Sequence, residues 1–190
     1  MEDKMIRVAI THGDTNGIGY EVILKTFATP TILELCTPIV YGSPKLAAYH
    51  RKALNLETSF NIIERAEDAC DGKLNILACF DDEVKVELGQ PSEEAGKAAL
   101  MALDRAMTDY RSGLYDVLVT APINKATIQG EGFHFPGHTE YIETCVGEGN
   151  KALMILMNED LRVALVTTHL PIRNVAEAIT QEAIVEKASI

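Results

Sequence analysis

Basic residues are scarce in this 190-residue chain: 17 Lys and Arg stand against 28 Asp and Glu, for a formal net charge of -11. Such a surface repels nucleic-acid phosphates and anionic membranes at long range, and no basic, aromatic cluster offsets it. Long apolar runs are missing as well. The opening MEDKMIRVAITHGD reaches its first polar turn without a signal-peptide core or a bilayer-spanning stretch, so a cytoplasmic location is expected. The four cysteines, Cys36, Cys70, Cys79 and Cys145, show no C-x-x-C spacing and read as reduced core thiols without a metal or redox role. There is no Cys/His cluster and no dense carboxylate loop, whereas a divalent-metal site normally takes three or more protein ligands. Internal repeats, low-complexity tracts and flexible linkers are also absent. With 47% hydrophobic and 24% charged residues, the remaining composition is that of an ordinary globular protein.

Short β-branched runs alternate with longer amphipathic ones: IRVAI (6–10), GIGYEVILKTFA (17–28), PIVYG (38–42) and SPKLAAYHRKAL (43–54). That alternation predicts an α/β sheet. The runs SFNIIE, KLNILACF and VKVEL within 58–88 predict three strands with no full helix between them. From Ser92 to Arg111 apolar residues recur at helical spacing behind a Ser92 cap, which predicts one long helix. DVLVTAP (116–122), KALMILM (151–157) and LRVALVTT (161–168) are expected to be the most buried strands, the last two forming a hairpin across NED. NVAEAIT and QEAIVEKASI, the second capped by Thr180, predict two closing helices. No stop signal follows the second, so the chain is expected to be cut inside a longer fold.

Four segments carry candidate chemistry. THGDTNGIGYE (11–21) is a strand end, a glycine turn and a helix start, where backbone N–H groups can meet an anion; the plainer reading is a tight turn with Asp14 as turn former. It is not a dinucleotide fingerprint, since Val22 stands where the third glycine belongs, and no Lys-Ser/Thr pair makes it a P-loop. TAPINKA (120–126) sets Asn124 and Lys125 beyond a strand's carboxyl end, where ligands gather in open α/β sheets; a solvated surface lysine fits the same position. GEGFHFPGHTEYIE (130–143) puts His138 at a helix start with Thr139 as a candidate cap. VTTHLPI (166–172) places His169 directly after a strand, as a metal ligand or acid/base candidate or simply a loop residue. His12 and His134 fall in nearby loops and His50 on a polar helix face, with no role evident from spacing.

Taken in order, ITHGDTNGIG with Glu21, TAPINK, GHTE and TTHLPI resemble the 4-hydroxythreonine-4-phosphate dehydrogenase family along the whole chain. The resemblance implies a three-layer α/β/α fold like that of isocitrate and isopropylmalate dehydrogenases. It further implies a two-domain homodimer with its active site in the interdomain cleft, here incomplete. The first domain would cover residues 1–125 and the start of the second 126–190. By the same resemblance His138 and Thr139 contact the substrate and His169 is one of three histidines on a divalent metal (Zn, Mg or Co), while Lys125, from its place beyond the strand end, is a candidate catalytic residue. The implied reaction is oxidation of 4-phosphohydroxy-L-threonine by NAD, or NADP, to a β-keto acid that decarboxylates to 3-amino-2-oxopropyl phosphate, a step of vitamin B6 biosynthesis.

This chain departs from the family's usual GDPAGIGPE, since Thr15 and Tyr20 replace its prolines. The other two metal histidines, and the Lys, Asn and Arg that touch substrate, are expected beyond Ile190, so the 190 residues alone are expected to be inactive. A related dehydrogenase of four-carbon sugar-acid phosphates would share every motif. A phosphate acyltransferase and a non-catalytic interaction domain are the readings of other classes.

Overall fold

The computed structural model describes residues 5–80, 84–129 and 133–190. They fall into two compact units, Met1–Tyr141 and Ile142–Ile190. The first contains β1 (Ile6–Thr11), α1 (Gly19–Thr26), β2 (Cys36–Gly42), α2 (Pro44–Ala53), β3 (Asn61–Ile63), β4 (Asn75–Ala78), α3 (Glu93–Arg111), β5 (Val117–Thr120) and α4 (Lys125–Ile128). Helix α5 (His138–Val146) begins in it.

The five strands form one parallel sheet in the order β3-β4-β2-β1-β5, with Ala9 of β1 opposite Ile39 on one side and Leu118 on the other. Alternation of side chains along each strand sends the apolar residues to two faces. Ile10, Val40 and Ile76 join Tyr20, Ile23 and Leu24 of α1 and Leu46 and Ala47 of α2 in one core. Ala9, Ile39, Tyr41 and Leu77 are equally buried on the opposite face, where α3 contacts β1 and β2. Helix α3 approaches closely because its buried positions are mostly small: Ala95, Gly96, Ala98, Ala99, Ala102 and Ala106. The unit is therefore the expected three-layer α/β/α sandwich. Ser92 caps α3 as its sequence implies, accepting a hydrogen bond from Ala95 N at 3.1 Å.

Several expectations are corrected. VKVEL forms no strand: Val84 and Val86 do turn inward against the core, but the segment's backbone bonds go to Asn16, through Glu87 N and Gly89 N, and not to a neighbouring strand. DVLVTAP is the edge strand β5, so Val117 and Val119 remain 47% exposed. Cys70 is exposed, and Cys36, Cys79 and Cys145 are only half-buried. The two units divide between Tyr141 and Ile142, and Ile128, Phe133 and Tyr141 are buried within the first.

The second unit holds the hairpin β6 (Ile155–Met157) and β7 (Arg162–Ala164), then α6 (Ile172–Ala178) and α7 (Gln181–Ala188). Asn158 closes the hairpin as predicted across NED, its Oδ1 accepting from Asp160 N and Leu161 N. These strands were expected to be deeply buried, yet Ile155, Leu156 and Met157 are 50%, 56% and 66% exposed. A two-stranded ribbon has no inside unless another layer covers it. Thr180 caps α7 through Ala183 N, and Lys187 Nζ donates to Ala152 O, tying α7 to the segment ahead of β6.

Candidate functional site

The chain runs from β1 to β2 on one side, continues outward, and then returns through α3 to place β5 on the other side of β1. Strand order thus reverses between β1 and β5, and it is at the carboxyl ends beside such a reversal that open α/β sheets take ligands. The first two motifs meet at this point. Ala121 N donates to Thr11 O at 3.0 Å and Asp14 N to Pro122 O at 2.9 Å. The approach requires Gly13, whose φ is +73° and whose position leaves a Cβ only 2.9 Å from the Ala121 carbonyl.

The glycine turn is not an anion cradle. Its N–H groups at Asp14, Asn16 and Gly17 are taken up by Pro122 O, Asp14 Oδ1 and Asp14 O. The turn-former reading of Asp14 is the correct one. The second motif behaves differently: Asn124 caps α4, its Oδ1 accepting from Ala126 N at 3.0 Å, and so fixes the backbone from which the exposed Lys125 projects.

His138 opens α5 and is half-buried, and among the described residues its Nε2 has no hydrogen-bond partner. Burial, and then the nearby Lys125 ammonium, push its pKa below the ordinary histidine value, so the ring is neutral at pH 7. Thr139 lies inside the first turn of α5 and is not its cap, because the helix already starts at His138. The helix start is held from below by rings: Phe133 stacks on Tyr141 at 5.3 Å and meets Phe135 edge-on at 5.5 Å, while Tyr141 Oη donates to Asp104 of α3. A cation, an unpartnered neutral imidazole and a helix N-terminus together suit a ligand bearing an anionic oxygen. Beside them α3 and α4 wall an open groove of about 650 Å³ that includes Ser92, Gly96, Lys97, Thr127 and Gln129.

Two histidines without a role from spacing are structural and buried. His12 is fully enclosed, stacked on Tyr20 at 5.1 Å, with a pKa lowered to about 4, chiefly by burial. The backbone of Ala98 and Gly13 lies near enough to favour its protonated form, but neither ring nitrogen completes a hydrogen bond among the described residues. His50, expected on a polar face, is buried instead; its Nε2 donates to Thr15 O at 2.9 Å and its ring stacks on Tyr20. The alternation Val8, Ile10, His12 carries the inward face of β1 one residue past the strand, a signal that locates His12.

In the second unit β7 ends at Ala164, so His169 sits within a loop and not directly after a strand. It is exposed, with φ at +55°, a conformation uncommon outside glycine. Among the described residues no three His, Cys, Asp or Glu side chains converge to hold a metal ion. His169 alone does not fit a metal site.

Fold and loops together define an open parallel α/β module with a cation and a neutral imidazole in the unit that carries its switch point. The family model for the pyridoxal phosphate biosynthetic protein PdxA matches residues 34–190, and the chain belongs to that family. It is 64% identical over 190 residues to a 4-hydroxythreonine-4-phosphate dehydrogenase of Bacteroides thetaiotaomicron, covering all of this chain and 52% of the relative. A second such relative, from Sulfurihydrogenibium sp., is 33% identical over 98% of this chain and 56% of its own length. The crystal structure of a 4-hydroxythreonine-4-phosphate dehydrogenase from Burkholderia phymatum superposes with a TM-score of 0.85 at 30% identity, over 98% of this chain and 57% of that one. The chain thus spans about half the length of the curated relatives it matches.

Proposed function

We propose that this chain is part of an NAD-dependent, divalent-metal-assisted dehydrogenase that oxidises 4-phosphohydroxy-L-threonine during pyridoxal 5'-phosphate biosynthesis. A bound NAD would accept the hydride of the hydroxyl carbon while the hydroxyl proton passes to solvent, and the resulting β-keto acid would lose CO2 to leave 3-amino-2-oxopropyl phosphate. The observation that carries this reading is Lys125 acting on the unpartnered, neutral His138 at the start of α5, in a chain 64% identical to a relative of that name.

In this reading the chain's own residues bind and orient. Lys125 supplies positive charge for an anionic group, and His138 Nε2 and Thr139 supply polar contacts that leave the imidazole free to donate or accept. Positioning of this kind removes part of the entropic barrier to hydride transfer. When bound, the metal favours the alkoxide form of the substrate hydroxyl. His169 is proposed as one of its ligands; two more donors must come from outside the described residues. The cytoplasmic location and the homodimer belong to the same proposal, and among the described residues no helix is long and apolar enough to cross a membrane.

The test is a full-length assay following NADH with metal present, offering 4-phosphohydroxy-L-threonine and, separately, 4-phosphoerythronate and 4-phosphothreonate. His138→Ala is expected to raise KM and leave metal content intact, and His169→Ala to lower metal content and turnover together. Equal loss of metal in both variants would reverse the assigned roles. Preference for a sugar-acid phosphate would move the substrate, and loss of turnover on chelation would exclude the acyltransferase class.

A further inference from the structure

We propose that Asn16 is a positioning residue: it fastens the 84–92 segment across the β1–α1 turn and, through the cap of α3, holds α4 and its Lys125 in place. The functional value of this arrangement rests on the reading above, in which Lys125 faces the substrate; the mechanical claim stands on geometry alone.

Asn16 is 3% exposed, and its side chain reaches residues more than seventy positions away. Nδ2 donates to Gln90 O at 2.8 Å and to Ser92 Oγ at 3.2 Å, while Oδ1 accepts from Glu87 N at 2.8 Å. Its backbone carbonyl accepts from Gly89 N at 2.8 Å, and its own N–H donates to Asp14 Oδ1. One buried amide thus supplies the backbone bonds that a β ladder would otherwise provide to a segment with no regular structure. A side chain satisfied on both its amide ends specifies a single geometry, because any shift strands a buried donor or acceptor.

The coupling continues through Ser92. Its Oγ accepts from Asn16 Nδ2 and from Ala95 N, so Asn16 orients the hydroxyl that caps α3. One turn further on, α3 meets α4 at Gly96, where a Cβ would come within 2.9 Å of Ile128 N and closer still to the Thr127 carbonyl. Helix α4 is four residues long and cannot hold itself in place. It takes its position from α3 and from the Asn124 cap.

The experiment uses this chain with Asn16→Ala, Asn16→Asp and Ser92→Ala, read by amide hydrogen exchange and by NMR titration of His138, whose pKa is depressed in part by Lys125. With Asn16→Ala, exchange is expected to rise about tenfold or more at Glu87, Gly89 and Ile128, with β2 unchanged. The His138 pKa should move up as Lys125 shifts away. Asn16→Asp keeps the acceptor for Glu87 N, so that amide should stay protected while α4 still loosens. Ser92→Ala should reproduce the His138 shift even if the first variant folds poorly. Faster exchange in 84–92 with α4 and the His138 titration unmoved would overturn the positioning role. Unchanged exchange at Glu87 and Gly89 would overturn the strap itself. Neither readout depends on catalysis, so a Lys125→Ala enzyme with normal KM would refute the substrate reading and leave the strap intact.

Discussion

Replacing Gly96 with alanine sets two effects of opposite sign against each other. Alanine in a helix interior is favoured over glycine by about 1 kcal/mol, and Gly96 lies within the first turns of the 19-residue α3. Against this, the new Cβ would sit 2.9 Å from Ile128 N and nearer still to the Thr127 carbonyl, where atoms pack at roughly 3.5 Å. The obstacles are backbone atoms, which cannot rotate aside. Overpacking of this kind costs about 1–3 kcal/mol. The steric effect should therefore exceed the propensity, leaving a net loss of about 1 kcal/mol, or roughly 2–4 °C in melting temperature for a chain of this size. The shorter partner should yield first, so Ile128 N, which donates to Asn124 O, should lose protection before α3 does. Urea unfolding by circular dichroism, with hydrogen exchange across 121–129, measures both. A Gly96→Ala chain about 1 kcal/mol more stable than wild type, with α4 protection unchanged, would show that the close approach is not real.

Three further outcomes follow from buried polar groups. Because the His12 pKa falls from its usual 6.5 to about 4 on folding, the unfolded chain binds the proton more tightly. This contribution to stability is complete above pH 6.5 and is lost as pH falls towards 4, up to about 3 kcal/mol. His12→Phe, which keeps the ring on Tyr20, should flatten that part of the stability profile, and an unaltered slope would exclude His12 as its source. Arg105→Ala should cost about 1–2 kcal/mol in urea unfolding, since Asp109 is 5% exposed and would lose its ion pair while keeping its bond from Tyr41 Oη at 3.0 Å; the partly exposed arginine keeps the figure below that for a fully buried pair. Lys125→Met should raise the His138 pKa in an NMR titration, and no movement would mean that the two groups are not neighbours.

Legibility in the sequence followed the range of the interactions involved. Local chemistry was read directly: Ser92 and Thr180 cap the helices their positions imply, Asn158 closes the hairpin, and the periodic small residues of α3 are its buried positions. Periodicity gave the side-chain direction of Val84 and Val86 correctly, but a strand also needs a neighbour, and Asn16 occupies the backbone groups that a neighbour would bond. Asn16 carries no local mark of this, because its partners are Gln90, Ser92 and Glu87. The exposure of β6 and β7 was likewise unreadable: an apolar run reports that a surface suits burial, not that anything covers it. Of the expected site residues, Lys125 and His138 are brought within electrostatic reach of each other, while His169 stands in the second unit without convergent donors among the described residues.

The reversal of strand order between β1 and β5 also bears on how this protein folds. Strands β1 and β2 pair after about thirty residues of intervening chain, whereas Arg7 N reaches Asp116 Oδ2 across a separation of 109. Closing so long a loop carries an entropic cost before any contact rewards it. The β1–β2–β4 ladder can therefore assemble before the β1–β5 pairing, and β5 docks afterwards with α3 as its tether. The β5 edge is expected to be the last part of the sheet to form and the first to open, so any ligand seated there would protect β5 more than any other strand.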